Sequence, residues 1–588
     1  MRELALLLTE DNPSRQDHCV AKVLQFFGVP SRNLAAAEFP SANVVSDTTS
    51  DKPRVLCSAE VFLRWIEDLE RNGDDLPAWP TRLHSVFVYA GNDREAFQKL
   101  ARILAADDGA VIDQLNHGIG ELVVSDHLKE FCGVLAGVRV PVSQASAATS
   151  LIVHTCKGNT TDIISINHGA TFQKVNYRQL PVFLSTCREI IDVDAELASR
   201  SFDVRDQFLC AVPIVLYVKW AFPETCWNGS ETNACLVIDD PLLNPNYGCV
   251  NFEKLLGLME RHRFSTNIAF IPWNRRRSNP KVVRLFTEKP ECYSLSIHGC
   301  DHTAAEFGTQ DREYLRWKVT EAIGRMSEHE RQTGIHHDRI MVFPQGVFSE
   351  AAMDVLKHSN FTAAVNSDVI SADLRPQPIK ISDVWDIAVM RYGAFPMFPR
   401  RDPFEGIENF AFDILLGKPC IVVIHHDFCR ERYKHLLEFI NRLNGLNRPL
   451  SWRSLGEVVR RSCRQRLLAS GVLEIEMYGA ELRLENRSGQ PERYLIRRRE
   501  FEPSAINEIR DESAPIVWNF ANDYINLETK LGPAESKTIS IRFHEPAGSG
   551  RNGENVSYKF RTMLRRYLSE ARDNYIVKGN VHFSALLG

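Results

Sequence analysis

The chain has 588 residues, 44% hydrophobic and 25% charged. These are the proportions of a globular protein, and they exclude a disordered, collagen-like or low-complexity chain. At about 150 residues per domain the length accommodates three or four domains. Its 70 basic and 75 acidic side chains leave a net charge of −5, which excludes a globally basic nucleic-acid binder.

No run approaches the ~18 apolar residues of a bilayer span. The Leu4–Leu8 run is too short for a signal-peptide core, and Glu10 and Asp11 follow it closely. The 14 cysteines form no CxxC pair, and Cys210, Cys235 and Cys420 sit in apolar runs. Reduced thiols in a cytoplasmic protein are therefore expected, rather than a disulfide scaffold or a zinc ribbon.

In chain order, Glu3–Thr9, Arg54–Ser58 and His84–Ala90 read as strands. Helical spacing follows them at Gln16–Phe27, Ala59–Leu69 and Asp93–Ala105. This is the rhythm of an open parallel sheet. Residues 121 to about 200 carry more β signals, which either complete the first domain or form a small β lobe upon it, and that domain is placed at 1–205.

Over 206–464 a longer strand–helix unit recurs. Its strands are predicted at Ala234–Ile238, Ser265–Ile271, Tyr293–Ile297, Arg339–Phe343, Thr362–Asn366, Trp385–Met390 and Cys420–His425, with helices at Asp311–Thr333 and Arg430–Leu443. Such a series predicts a barrel of parallel strands with functional groups at the strand C-termini. Short alternating runs over 465–545 predict a β-sandwich. A Gly/Asn/Ser-rich linker and a helix at Val556–Tyr575 occupy 546–588. Met563, Leu564, Tyr567 and Leu568 give that helix an apolar face, expected to dock on a domain or on a second copy in a homo-oligomer.

Four clusters stand at predicted strand ends. Asp239-Asp240-Pro241 ends an apolar run; it is either a solvated strand end or a pair in which one carboxylate binds a cation and the other stays free as a base. His298-Gly-Cys-Asp-His302 has a spacing that chance alone supplies about half the time in a chain this rich in histidine. Its position after a strand, with Gly299 to turn the backbone, sets both rings on one side for metal chelation. Pro344-Gln345-Gly346 is a turn, or a wall whose N–H groups face an oxyanion. Of His425 and His426, alternation sends one into the barrel and the other outward. Arg275-Arg276-Arg277 reads as a solvated loop or an anion contact.

In their joint order these residues resemble the NodB-like polysaccharide deacetylases of carbohydrate esterase family four. The resemblance covers residues about 230 to 430 and implies a distorted (β/α) barrel. It implies Asp239 as base, Asp240, His298 and His302 as metal ligands, Pro344–Gly346 as the oxyanion and substrate wall, and His425 or His426 as general acid. Val342 stands where the family carries an arginine that braces the base, and Arg391 is the expected substitute. A clear Asp-x-x-Asp-Trp motif is lacking; Asn366-Ser-Asp368 or Asp383-Val-Trp-Asp386 stands in its place. The expected protein is thus a metal-dependent hydrolase of an N-acetylated sugar or glycan. Zinc is the expected ion, and the same ligands accept cobalt, nickel or iron(II). A carbohydrate is the expected partner, with neither nucleic acid nor a membrane span. Two other readings stand beside it: a different hydrolase on the same barrel, a glycosidase or a deacetylase of a small metabolite, with Glu306 as the nearest second carboxylate, or a carbohydrate-binding protein without activity.

Overall fold

The computed structural model describes residues 3–36, 52–72, 82–107, 109–118, 120–155, 159–544 and 556–577. The chain forms an N-terminal α/β sheet domain, a nearly closed parallel barrel with helices outside it, and a C-terminal β-sandwich.

The N-terminal sheet begins with Ala5–Thr9, buried along its whole length. It lies parallel to Ser31–Ala35 on one side and Arg54–Ser58 on the other. The helix Arg15–Phe26 is set by a capping box at Ser14, whose hydroxyl accepts from Asp17 N while Asp17 accepts from Ser14 N. Ser85–Tyr89 continues the parallel half and pairs with Leu180–Ser185. The β-rich stretch after residue 121 completes this same sheet in mainly antiparallel fashion. The helix Phe208–Ala221 is apolar on every side and almost wholly buried. Its Tyr217 hydroxyl meets Ser85 Oγ at 3.0 Å, tying the helix to the sheet.

The barrel strands follow the spatial order Met397–Pro399, Ala363–Asn366, Ile340–Val342, Tyr293–His298, Thr266–Phe270, Asn233–Asp239 and Cys420–Ile424. The first of these strands in sequence thus pairs with the last of them, in the register Ile238↔Ile424, and the later two-residue strand Ser451–Trp452 pairs with the first as well. Strand alternation sorts the side chains. Cys235, Val237, Ala269, Val342, Val365 and Ile421 share the interior core, while Leu236, Ile238, Ile297, Met341 and Ile424 face the surrounding helices. Arg401 N donates to Ile421 O at 3.0 Å and Val423 N to Arg401 O at 2.9 Å, joining the two edge segments across the gap.

One predicted strand is corrected. Over Trp385–Met390 the chain forms the end of the helix Ile381–Trp385 and a loop, and the sheet is joined instead by Met397–Pro399. The apolar run is buried in both arrangements, so its hydropathy does not distinguish them.

The sandwich packs a six-stranded sheet, which also takes in Asn228–Gly229, against a three-stranded one. It is joined to the barrel by buried charges. Glu500 accepts from Lys357 Nζ at 2.6 Å and from Arg498 at 3.0 Å, and Arg498 Nη2 donates to Ala394 O at 2.8 Å.

The last described element is the helix Val556–Ala571, continued by a wider turn over Arg572–Val577. The sequence predicts that its apolar face docks. Within this chain that face is largely exposed, Leu564 keeping 49% and Leu568 61% of its surface, while Tyr567 sets its ring edge-on against Trp273. The helix instead lies on the barrel by its polar face, where Thr562, Arg566 and Asp573 are buried.

Candidate active site

Asp239 and Asp240 end the first barrel strand, and the change of backbone between them sends their side chains to different partners. Asp239 keeps the strand geometry and is nearly fully buried. Arg400 grips it with a fork, Nη1 to Oδ1 and Nη2 to Oδ2, both at 2.7 Å. Burial pushes this carboxyl up, but the Arg400 guanidinium, with His298 and His425 nearby, outweighs that and holds it below the usual carboxylate range. Asp240 turns into the left-handed region, at φ 80°. Asp tolerates that conformation better than most residues. Its Oδ1 faces His298 Nε2 at 3.4 Å and His302 Nε2 at 3.1 Å. Burial acts against ionisation here too, and the two imidazoles overcome it to hold the Asp240 carboxyl well below its ordinary value.

His298 ends the third strand in sequence and is buried. Its Nδ1 lies 2.9 Å from Val342 O. A carbonyl only accepts, so Nδ1 carries the proton and the Nε2 lone pair is left for a cation. Burial would lower the His298 pKa, but the charges of Asp239 and Asp240 raise it overall. His302 is delivered by a loop that reverses direction at Gly299, φ 64°. A Cβ on Gly299 would lie 2.4 Å from Pro344 Cγ and 2.7 Å from Glu306 Oε2, so only glycine allows the loop to close on both. Glu306 clamps the loop by accepting from the N–H groups of Cys300, Asp301 and His302 at 2.9–3.1 Å.

Ligand atoms of Asp240, His298 and His302 all lie within 4.8 Å of one another. Asp240 Oδ1 is buried and makes no hydrogen bond. An orphaned carboxylate oxygen between two imidazole nitrogens is the donor set of a divalent cation, so the residues fit the metal that the sequence implies. Cys300, Asp301 and Glu306 also converge. There Lys318 and Arg325 already neutralise Asp301, and the loop amides occupy Glu306, so the cluster acts as a clamp. Glu306 is thus committed to the fold, which removes the second carboxylate that a glycosidase would use.

Pro344 packs on Gly299, and Gln345 follows in the left-handed region at φ 58°. The Gln345 side chain accepts from Ala305 N at 3.3 Å, and Gly346 O accepts from Asn366 Nδ2 at 2.8 Å. The wall predicted from Pro344-Gln345-Gly346 therefore stands beside the His298–His302 loop.

The adjacent histidines separate. The pairing of Ile238 with Ile424 places His425 level with Asp239 in the interior set of side chains. His425 is exposed at the mouth, and its charge reaches both Asp239 and Asp402. His426 is buried against Tyr247 and lies 3.4 Å from Asp573 in the C-terminal segment.

Two placements differ from the sequence reading. Arg391 does not pair with Asp239; its Nε faces Asp383 at 3.4 Å, and it lines a cavity of about 390 Å³ between the N-terminal domain, the barrel and the sandwich. Asp383 and Asp386 line the same cavity, away from the metal ligands. The bracing guanidinium belongs to Arg400, which follows the short strand Met397–Pro399. The arginines of 275–277 are not a free loop either. Arg275 and Arg276 hold Glu328 at 2.6 and 2.5 Å, and Arg277 holds Glu570 of the C-terminal helix at 2.7 Å.

No protein-family model and no curated protein matches the chain. Among solved structures it is similar to Agd3, described as a novel carbohydrate deacetylase, at 10% identity and a TM-score of 0.48, over 92% of this chain and 98% of that one. It is also similar to the family 4 carbohydrate esterase of Streptomyces lividans, at 12% identity and a TM-score of 0.24, over 38% of this chain and 91% of that one. A further similarity is to the peptidoglycan deacetylase PdaC of Bacillus subtilis, at 10% identity and a TM-score of 0.25, over 40% and 92% of the two chains.

Proposed function

We propose that the protein is a metal-dependent deacetylase that removes N-acetyl groups from a sugar or glycan. The observation that carries this reading is the joint placement of a His–His–Asp donor set, an arginine-braced aspartate and an interior histidine at one end of one barrel. Asp240, His298 and His302 would hold the ion, zinc being the first expectation. When bound, such an ion supplies Lewis acidity to the acetyl carbonyl and lowers the pKa of water.

The remaining work belongs to this chain's own side chains. Asp239 accepts the proton of the attacking water; Arg400 keeps it ionised and fixes its orientation. Pro344–Gly346 forms a wall against which the acetyl group is held, with a Gln345 amide for the developing oxyanion. His425, level with the base on the neighbouring strand, delivers a proton to the leaving nitrogen, which departs as the amine. Base and acid must start in opposite protonation states, so activity follows a bell-shaped pH profile.

The test is acetate release by the purified protein from N-acetylated sugars, their oligomers and carrier-linked precursors. Release should disappear with a chelator and return with about one divalent ion per chain. A protein that neither binds metal on titration nor releases acetate from any of these would overturn the reading.

A further inference from the structure

The C-terminal helix crosses the barrel mouth. Near its start, the Tyr558 hydroxyl donates to Asp301 Oδ2 at 2.9 Å, in the loop after the strand Tyr293–His298. One residue before the end of Val556–Ala571, Glu570 meets Arg277, in the loop after Thr266–Phe270. At its far end, Asp573 accepts from Tyr247 at 2.8 Å, and Asn574 accepts from Gly248 N at 2.8 Å, in the loop after Asn233–Asp239. His426, just beyond Cys420–Ile424, meets Asp573 as well. The helix thus spans four strand ends that surround the metal ligands, with its polar stripe inward and its apolar stripe outward. Anchorage to a core would favour the reverse orientation. A polar face turned inward suits a wall of a polar site.

One residue of that wall is unmatched. Arg566 is 5% exposed, and no carboxylate, carbonyl or hydroxyl among the described residues pairs with its guanidinium; its Nε is buried and without a partner. Its neighbours on the same face are committed, Glu570 to Arg277 and Asp573 to Tyr247 and Arg572. A buried cation without a counter-charge is unfavourable. A protein retains one where something from outside supplies the anion. The site lies toward the proposed chemistry, because Asp573, buried on the same segment as Arg566, meets Tyr247 and also His426, the neighbour of His425.

We propose that Arg566 is a specificity-determining residue that binds an oxyanion of the substrate, a carboxylate or a phosphate, beside the proposed metal centre. This rests on the deacetylase reading and narrows it to acidic N-acetylated sugars.

The test uses the intact metal-loaded protein, with inorganic phosphate and glucuronate as separate probes in calorimetry and thermal melting. One or both should bind and raise the melting temperature. Arg566→Gln should weaken binding by about 10-fold or more and remove the shift, while Arg566→Lys keeps part of it. Without anion, Arg566→Gln should melt no lower than wild type, because it removes an unpaired buried charge. In turnover, Arg566→Gln should raise KM for N-acetylglucosamine 6-phosphate or N-acetylmuramic acid while leaving kcat, and neutral N-acetylglucosamine oligomers, unchanged. Which probe responds separates phosphate from carboxylate. Unchanged anion affinity in Arg566→Gln overturns the proposal, placing the anion elsewhere. So does a fall in melting temperature without anion, which would make Arg566 structural, or a wild type that binds neither probe. Absence of acetate release from every substrate would sink the deacetylase reading alone, since the binding arms do not depend on turnover.

Discussion

At Asp239 two opposed effects decide the chemistry. Burial favours the neutral acid, and the Arg400 fork favours the anion and prevails. Asp239, the proposed base, is therefore held ionised at neutral pH, and on the proposed function activity should fall only as pH drops through its depressed folded value. Arg400→Gln removes the counter-charge and leaves the burial, so the acid limb of the kcat/KM profile should move to higher pH. A limb that stays in place would mean that another group is the base. The pair also contributes stability that is present above the unfolded pKa of aspartate and lost as pH falls through the folded one. Breaking it should cost about 3–5 kcal/mol, so the profile is best recorded well below the variant's melting temperature. Asp239→Asn should lower kcat by about 10²–10⁴ with the metal retained. Asp240→Asn should lose metal first; the opposite pattern would exchange the two roles. The aspartate and histidine motifs are legible in the sequence because each is carried by one strand end and its turn. Arg400 is not, because it reaches Asp239 across 161 residues and follows a strand of only three residues containing a proline.

At the scale of elements, the loop 299–306 shows how a ligand is held by backbone rather than by neighbouring side chains. Glu306 satisfies three successive amides, and without it His302 would lose its fixed position. Glu306→Ala should weaken metal affinity by about 10–100-fold, as loss of supporting contacts around a metal site does. Competition titration with a chromophoric chelator measures this, and unchanged affinity would show that the loop holds itself. The C-terminal helix is legible as a helix from its spacing, but not in its orientation. Periodicity identifies which residues share a face; which face turns inward depends on the surface opposite, and here that surface is a charged barrel mouth rather than a core. The Trp385–Met390 run misleads for a related reason, since its buried apolar residues suit a helix end and a loop as well as a strand.

At the scale of the whole molecule, the sandwich is joined to the barrel through Lys357, Glu500 and Arg498, which are almost completely removed from water. Burial lowers the pKa of both Lys357 and Arg498, with Glu500 opposing it. Glu500→Gln would leave two buried cations sharing no anion and should destabilise the protein by about 3–5 kcal/mol. Calorimetric melting checks this, and an unchanged transition would mean that the joint carries no stability. The alternation of strands and helices made the N-terminal sheet and the barrel legible. The antiparallel completion of the N-terminal sheet and the meeting of the first barrel strand with the last were not, because pairing between distant strands leaves no local pattern.

That meeting of first and last strands orders events during synthesis. Asp240, His298 and His302 leave the ribosome on the first three barrel strands, well before Arg400 and His425. N-terminal segments emerge and begin to fold before later ones. Under the proposed function, the metal-binding corner can therefore take shape on a growing chain in which Asp239 still lacks Arg400 and His425 has not yet been made. The full set of proposed groups comes together only when Cys420–Ile424 docks beside Asn233–Asp239 and Arg401 joins the seam. On the proposed function, a nascent chain stalled before that point should capture metal yet leave acetylated sugars untouched.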